Sequence, residues 1–151
     1  MRQRQRQAGF SMAEMLVVIA FIAITVAIGI PLVNEQVRIA EVRSSADDLA
    51  LHLRAARMIA VAKHKTIVFT VSADPTNTFS YEGNDGKMKT ITMPNRVKIA
   101  TGSDGSISFF QNGSVDATSA IVLESNVSDK LERWTATVNT VGLTKLARQR
   151  I

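Results

Sequence analysis

The sequence predicts an α+β chain in which a long N-terminal α-helix packs on a C-terminal antiparallel β-sheet domain. Three observations carry this prediction: an uncharged apolar run over residues 15–33, apolar residues at helical spacing beyond it, and short β-type segments separated by turn residues after residue 65. We therefore expect a leader (1–9), a membrane helix (10–33), an amphipathic helical continuation (34–64) and a β-rich domain (65–151).

The apolar run of residues 15–33 is long enough to cross a membrane. Thr25 carries its only hydrogen-bonding side chain, and at ~1.5 Å per residue the run spans about 28 Å as a helix, close to the hydrocarbon thickness of a bilayer. The apolar region of an ordinary secretory signal is shorter, roughly 7–15 residues. We therefore predict a transmembrane helix that stays in the mature protein.

The charges around this run predict its orientation. Arg2, Arg4 and Arg6 precede it, and no comparable basic cluster follows it closely. Because basic residues are retained on the cytoplasmic side, we expect a cytoplasmic N-terminus and an exported C-terminal domain. Without these arginines the basic and acidic residues nearly balance, which argues against a general nucleic-acid-binding surface.

A distinctive hexapeptide lies between the basic leader and the apolar run: residues 9–14 read Gly-Phe-Ser-Met-Ala-Glu. With its flanking segments it resembles the processing site of type IV prepilins and type II secretion pseudopilins. The resemblance implies that a prepilin peptidase cleaves between Gly9 and Phe10 and N-methylates Phe10. It also implies a single-pass inner-membrane protein with a periplasmic domain, assembled at an inner-membrane platform with other pilins or pseudopilins into a helical filament.

Glu14 and Pro31 are the candidate assembly residues. A carboxylate costs roughly 2.5–3.5 kcal/mol at the centre of a membrane and less near its edge, so Glu14 requires a compensating charge. After cleavage the Phe10 amine supplies one, within the chain or on a neighbouring subunit, and in the family the pairing between subunits is thought to set their register. The alternative is that Glu14 only marks the membrane boundary. Pro31 falls where many of these proteins have a helix-kinking proline, and with Gly29 it predicts a kink.

Residues 34–64 are expected to continue the helix to about Lys63. Apolar residues in steps of three and four form one stripe, which we expect to pack on the C-terminal domain. The stripe consists of Val42, Ala46, Leu49, Leu53, Ala56 and Ala60. A free coiled coil is the alternative, but the stripe is short and rich in alanine. His52 and His64 are expected at the surface or at its boundary rather than as metal ligands.

The remainder of the chain contains seven β-type segments. They cover residues 66–71, 78–81, 87–93, 97–100, 106–110, 120–125 and 133–138. Gly86, Gly105 and Gly113 each follow Asp or Asn and predict turns with positive φ between strands. An antiparallel sheet or a small sandwich is expected.

Two segments of this region resemble the GspH/FimT group of minor pilins. Residues 107–115 are similar to its strand–turn–strand segment and residues 138–143 to its closing hairpin. Together with Ala55-Ala56-Arg57 near the end of the helix, they favour this group over a major pilin. The resemblance implies a structural subunit of a type II secretion pseudopilus or a type IV pilus, with a role in protein secretion at the filament tip.

Catalysis and metal binding are not expected. The chain has no cysteine, which excludes disulfides, thiolate catalysis and cysteine-ligated zinc. No Gly-x-Ser-x-Gly elbow occurs, and neither histidine has a triad context. We therefore predict a protein that is not an enzyme and has no cofactor or metal site.

The C-terminal segment is the remaining chemical signal. Lys145, Arg148 and Arg150 lie close together in the sequence without an acid nearby, and we expect a solvated tail. Some FimT-like minor pilins bind DNA during natural transformation through a basic Gly-Arg-x-Arg motif. This chain has Leu143 in place of the first arginine, and DNA capture by the three basic residues is the alternative function. A membrane-anchored β domain with no filament role is a third option.

Overall fold

The computed structural model describes residues 10–73, 75–103, 105–127 and 130–150. The predicted leader, including Gly9, lies outside the described residues. The chain divides between Gln36 and Val37 into two compact units. A single helix, α1 (Met12–Ala62), contributes residues to both units.

The first unit consists of the apolar part of α1. Ser11 is the N-cap residue, because its Oγ accepts a hydrogen bond of 3.2 Å from the Glu14 backbone N–H. The hydroxyl of Thr25 donates to the Phe21 carbonyl at 2.8 Å, so this polar group is satisfied within the helix. By length and composition this helix could cross a membrane. Pro31 lies inside the helix, and the kink expected there stays a prediction.

The second unit begins with the remainder of α1, which packs on the β-rich part of the chain. All six residues of the predicted apolar stripe are buried, with at most 1% of their surface exposed. They share one hydrophobic core with side chains of the strands, including Phe69 and Phe109. The small Ala46, Ala56 and Ala60 allow close contact between helix and strands. The predicted packing of α1 on the domain is therefore confirmed.

In the described part of the chain, eight strands follow α1: β1 (Ile67–Ser72), β2 (Thr78–Glu82), β3 (Met88–Thr92), β4 (Lys98–Ile99), β5 (Gly105–Phe109), β6 (Ser119–Val127), β7 (Lys130–Val138) and β8 (Thr144–Arg150). They form two four-stranded sheets with strand orders β3-β2-β1-β5 and β4-β6-β7-β8. Every strand pair is antiparallel. All seven predicted strands are present.

Strand β8 corrects the expectation of a solvated tail. It pairs with β7 along its whole length, from Val138↔Thr144 to Glu132↔Arg150. This strand was not predicted from the sequence, because basic side chains interrupt the alternation of apolar and polar residues in residues 144–150. Charged residues are typical of edge strands, where they discourage pairing with other chains, and β8 is one of the two edge strands of its sheet.

The turns between strands agree with the sequence. Gly86, Gly105 and Gly113 have positive φ of 78°, 152° and 78°. Strand β1 alternates buried and exposed side chains, with Ile67, Phe69 and Val71 facing the core. One face of this sheet therefore packs inward while the other is exposed, as in many antiparallel sheets.

Candidate functional site

The N-terminal end of α1 carries two of the predicted processing and assembly residues, Phe10 and Glu14. Phe10 precedes the helix and is 75% exposed, and Glu14 lies in the first helical turn. Ser11 and Glu14 also have the Ser-x-x-Glu spacing of a capping box, and the Ser11 hydrogen bond of that box is formed. Glu14 thus occupies a position where the helix dipole favours a negative charge.

The Glu14 carboxylate is exposed, and within the described ranges no hydrogen bond or ion pair involves it. The apolar side chains that follow it are equally uncovered; Leu16, Ile19 and Phe21, for example, are 61–68% exposed. A surface of this kind has only two stable environments, the hydrocarbon of a membrane or the apolar faces of other helices. The segment is therefore suited to membrane anchoring and helix packing.

Arg57 connects α1 to two turns of the β domain. Its Nε donates to the Gly113 carbonyl at 2.9 Å, and its Nη2 donates to the Val141 carbonyl at 3.2 Å. The same two turns are joined directly, because the Val115 N–H donates to the Thr140 carbonyl at 3.0 Å. The sequence identified Arg57 and the two β segments as separate features. Local sequence patterns do not predict that Arg57 contacts both segments in the folded chain.

The two turns leave no room for a side chain at Gly142. This residue has φ of 77°, and a Cβ there would lie 2.1 Å from the Gly113 carbonyl oxygen. Glycine is therefore required both for the backbone conformation and for the close approach of the turns. We name Arg57, Gly113, Val141 and Gly142 the Arg57 clasp.

The basic residues of β8 do not form one free cluster. The Arg148 guanidinium makes two hydrogen bonds of 3.1 Å to the two carboxylate oxygens of Glu132, whose side chain is fully buried. These bonds raise the pKa of Arg148. No acidic residue lies close to Arg148 in the sequence, and the sequence therefore predicted a basic tail without a nearby acid. In the folded chain this expectation is wrong, because the Glu132 carboxylate lies beside Arg148. Lys145 is exposed on the same strand, and the side chain of Arg150 lies outside the described part.

The two histidines have structural surroundings. The Nδ1 atom of His52 is 2.8 Å from the Tyr81 hydroxyl and shares a hydrogen bond with it, and the His52 ring packs against Phe79. Burial lowers the pKa of His52, an effect that Lys89 reinforces and Asp48 opposes.

His64 lies just beyond the C-terminal end of α1. It has φ of 49°, and the N–H groups of His64 and Lys65 donate to the Val61 and Ala60 carbonyls, which is a Schellman motif. Within the described residues no group of three or more His, Cys, Asp or Glu side chains is placed to hold a metal ion.

This chain is similar to known proteins in structure. No protein-family model matches the sequence, and no curated protein matches it. Among solved structures, the type IV minor pilin FimU of Pseudomonas aeruginosa is 16% identical, with a TM-score of 0.54 over 72% of this chain and 89% of FimU. The minor pseudopilin EpsH of the type 2 secretion system of Vibrio cholerae is 15% identical, with a TM-score of 0.51 over 71% of this chain and 96% of EpsH.

The predicted fold class is therefore confirmed: this protein has the fold of type IV minor pilins and minor pseudopilins, a long N-terminal helix packed on an antiparallel β-sheet domain.

Proposed function

We propose that this protein is a minor pilin or pseudopilin of the GspH/FimT type, a structural subunit of a type II secretion pseudopilus or a type IV pilus. One observation carries the proposal: an uncovered apolar helix has the exposed Glu14 in its first turn and continues into a domain with the minor-pilin fold. FimU and EpsH, which share this fold, are a type IV minor pilin and a minor pseudopilin of a type 2 secretion system.

The proposed life cycle begins in the inner membrane. The apolar part of α1 holds the chain there, with the N-terminus in the cytoplasm and the β domain in the periplasm. A prepilin peptidase then cleaves between Gly9 and Phe10, and Phe10 is N-methylated. The mature subunit joins other pilins or pseudopilins at an inner-membrane assembly platform. The helices of the subunits then pack into a filament that serves protein secretion.

Glu14 links processing to assembly in this proposal. Cleavage creates a positively charged amine at Phe10, and the Glu14 carboxylate of a neighbouring subunit is its natural partner in a medium of low dielectric constant. Two unit charges 4 Å apart attract by on the order of 4 kcal/mol at an effective dielectric constant of 20. That attraction is comparable with the cost of placing a carboxylate in the membrane.

The replacement Glu14→Gln tests this role. We expect normal membrane insertion, because the variant removes a charge from the helix, and a drop of about tenfold or more in the amount of subunit recovered in filaments, since each 1.4 kcal/mol is tenfold. Immunoblotting of sheared filaments against total membranes measures both quantities. Glu14→Asp, which keeps the charge, is the control, and unchanged incorporation of Glu14→Gln would remove the assembly role.

The geometry of β8 does not favour the alternative of DNA capture. Of its three candidate residues, Arg148 is bound by the buried Glu132, and a guanidinium held in this way is less available to phosphate. The affinity of a basic surface for DNA increases with the number of phosphates that it neutralises. Because β8 offers only three candidate basic residues, the loss of Arg148 weakens DNA binding substantially.

A further inference from the structure

A cleft of about 290 Å³ lies within the second unit, between α1 and the β2–β3 hairpin. We name it the α1–β3 cleft. Its helix wall is one polar stripe, because its residues follow each other in steps of three and four along α1. These residues are Glu41, Ser44, Ser45 and Asp48. The opposite wall is mostly apolar and consists of Phe79, Ile91, Thr92, Met93 and Pro94.

The helix wall of the cleft has little internal compensation for its negative charge. Glu41 Oε2 is buried and accepts no hydrogen bond from any described residue. Glu41 Oε1 is 3.4 Å from Arg96 Nη1, and because both side chains are partly exposed this ion pair is weak. Asp48 is exposed, and in the described part of the chain it makes no hydrogen bond or ion pair. The cleft therefore attracts a cation.

Lys89 of β3 is a basic residue in this region, but it does not line the cleft. It is close enough to His52 to affect the pKa of that histidine, as Asp48 does. The Lys89 Cε atom lies 3.0 Å from the position that a Cβ at Gly83 would occupy, so this side chain extends toward the turn between β2 and β3. Among the described residues that line the cleft none is basic, and the cation that it attracts comes from outside the chain.

The apolar wall indicates the kind of cation. Long basic side chains bury their aliphatic stem on apolar surface while the charged head stays in polar surroundings. A guanidinium also forms strong charge-assisted hydrogen bonds with carboxylates. Pockets for small-molecule ligands have volumes of roughly 300–1,000 Å³, so a cleft just below this range suits a single side chain. These features together favour arginine.

We propose that the α1–β3 cleft binds an arginine side chain of a neighbouring filament subunit. Its stem packs on Ile91 and Met93, its guanidinium donates to Glu41, and Asp48 adds a second negative charge. The Glu41 side chain is 35% exposed, so a donor that enters the cleft can approach the carboxylate. The proposal rests on the filament role in the proposed function and names the chemistry of one contact between subunits. Complementary charge of this kind determines which partners bind.

The test is a titration of the full chain in uncharged maltoside micelles with Nα-acetylarginine amide, followed by NMR of the backbone amides of Ile91 and Thr92. We expect saturable shifts. Asp48→Asn should weaken binding about threefold, the effect of one exposed ion pair. Asp47→Asn is the matched control, because Asp47 is also an exposed acid on α1 but does not line the cleft. Nα-acetylcitrulline amide, which has a similar shape without the charge, should give no saturable shift.

Three results of this titration would overturn the proposal. Equal shifts with the citrulline compound would show that charge does not matter. Equal losses in Asp48→Asn and Asp47→Asn would indicate a diffuse charge effect. Spermidine that bound more tightly than the arginine compound would show that the cleft is a site for a small polyamine.

A measurement in cells separates failure of the cleft from failure of the proposed function. The double variant Glu41→Gln/Asp48→Asn should begin at Phe10 like the wild type, but its recovery in sheared filaments should fall at least threefold. Normal recovery would overturn the arginine contact and leave the filament role standing. A wild-type chain that is not cleaved before Phe10 would contradict the proposed function and, with it, the contact between subunits.

Discussion

Gly142 shows how single residues constrain this domain. Two features exclude a side chain at this position: the positive φ of Gly142 and the close approach of the Gly113 carbonyl oxygen. Arg57 then donates hydrogen bonds to both turns, at Gly113 and Val141. The Arg57 clasp therefore connects the end of α1 to the β5–β6 connection and to the β7–β8 hairpin.

Replacement of Gly142 tests the clasp. Gly142→Ala should lower the free energy of unfolding by about 3 kcal/mol, because backbone strain of roughly 1–3 kcal/mol adds to a clash with a backbone oxygen that cannot easily move. Urea denaturation of the detergent-solubilised chain measures the change. Gly86→Ala is the control, because Gly86 has a similar φ of 78° but open space around it, and equal losses in both variants would contradict the clasp.

His52 makes stability depend on pH. Its pKa is lowered in the folded chain because burial disfavours the charged form. As the pH falls below about 6.5, the unfolded chain binds the proton first, so the free energy of unfolding decreases until folded His52 is also protonated.

Unfolding midpoints between pH 7.5 and 5.5 test this dependence. We expect the wild-type midpoint to fall with pH and His52→Gln to flatten the curve. His64→Asn, which suits the positive φ at that position, should keep the wild-type slope. A His52→Gln curve as steep as the wild type would show that other groups cause the dependence.

At the scale of elements, sequence patterns predicted those features that depend only on residues close together in the chain. The apolar stripe of α1 and the seven strands follow from side-chain period, and the turns follow from Asp-Gly and Asn-Gly pairs. Strand β8 was missed because its basic residues hide the alternation. The Arg57 clasp and the Arg148–Glu132 pair were missed because both join residues far apart in sequence, and residue spacing carries no signal of such contacts.

The helix–domain interface can be tested with two leucines of α1. Leu53 is fully buried in the core, whereas Leu51 is 59% exposed. Leu53→Ala should lower the free energy of unfolding by about 2–5 kcal/mol through lost apolar contacts and a cavity. Leu51→Ala should change it by less than about 0.5 kcal/mol. Thermal unfolding monitored by circular dichroism compares them, and similar costs for both would contradict the buried stripe.

At the scale of the whole molecule, the two units have opposite surface requirements. The second unit has its own hydrophobic core of helix and strand residues. The first unit exposes apolar side chains from Met15 to Ile28 and at Val33, and these must be covered by lipid or by other helices. Anchoring in a membrane followed by transfer into a bundle of similar helices satisfies this requirement at both stages, which is the physical argument for a filament subunit.

The central claim, that the chain is a prepilin-type filament subunit, is tested most directly by mass spectrometry of the N-terminus of the mature protein. The chain should be isolated from the membranes of cells with and without a prepilin peptidase. The account predicts a chain that begins at methylated Phe10 in the first case and retains residues 1–9 in the second. A mature N-terminus other than Phe10, or an intact Gly9–Phe10 bond in cells with the peptidase, would contradict it.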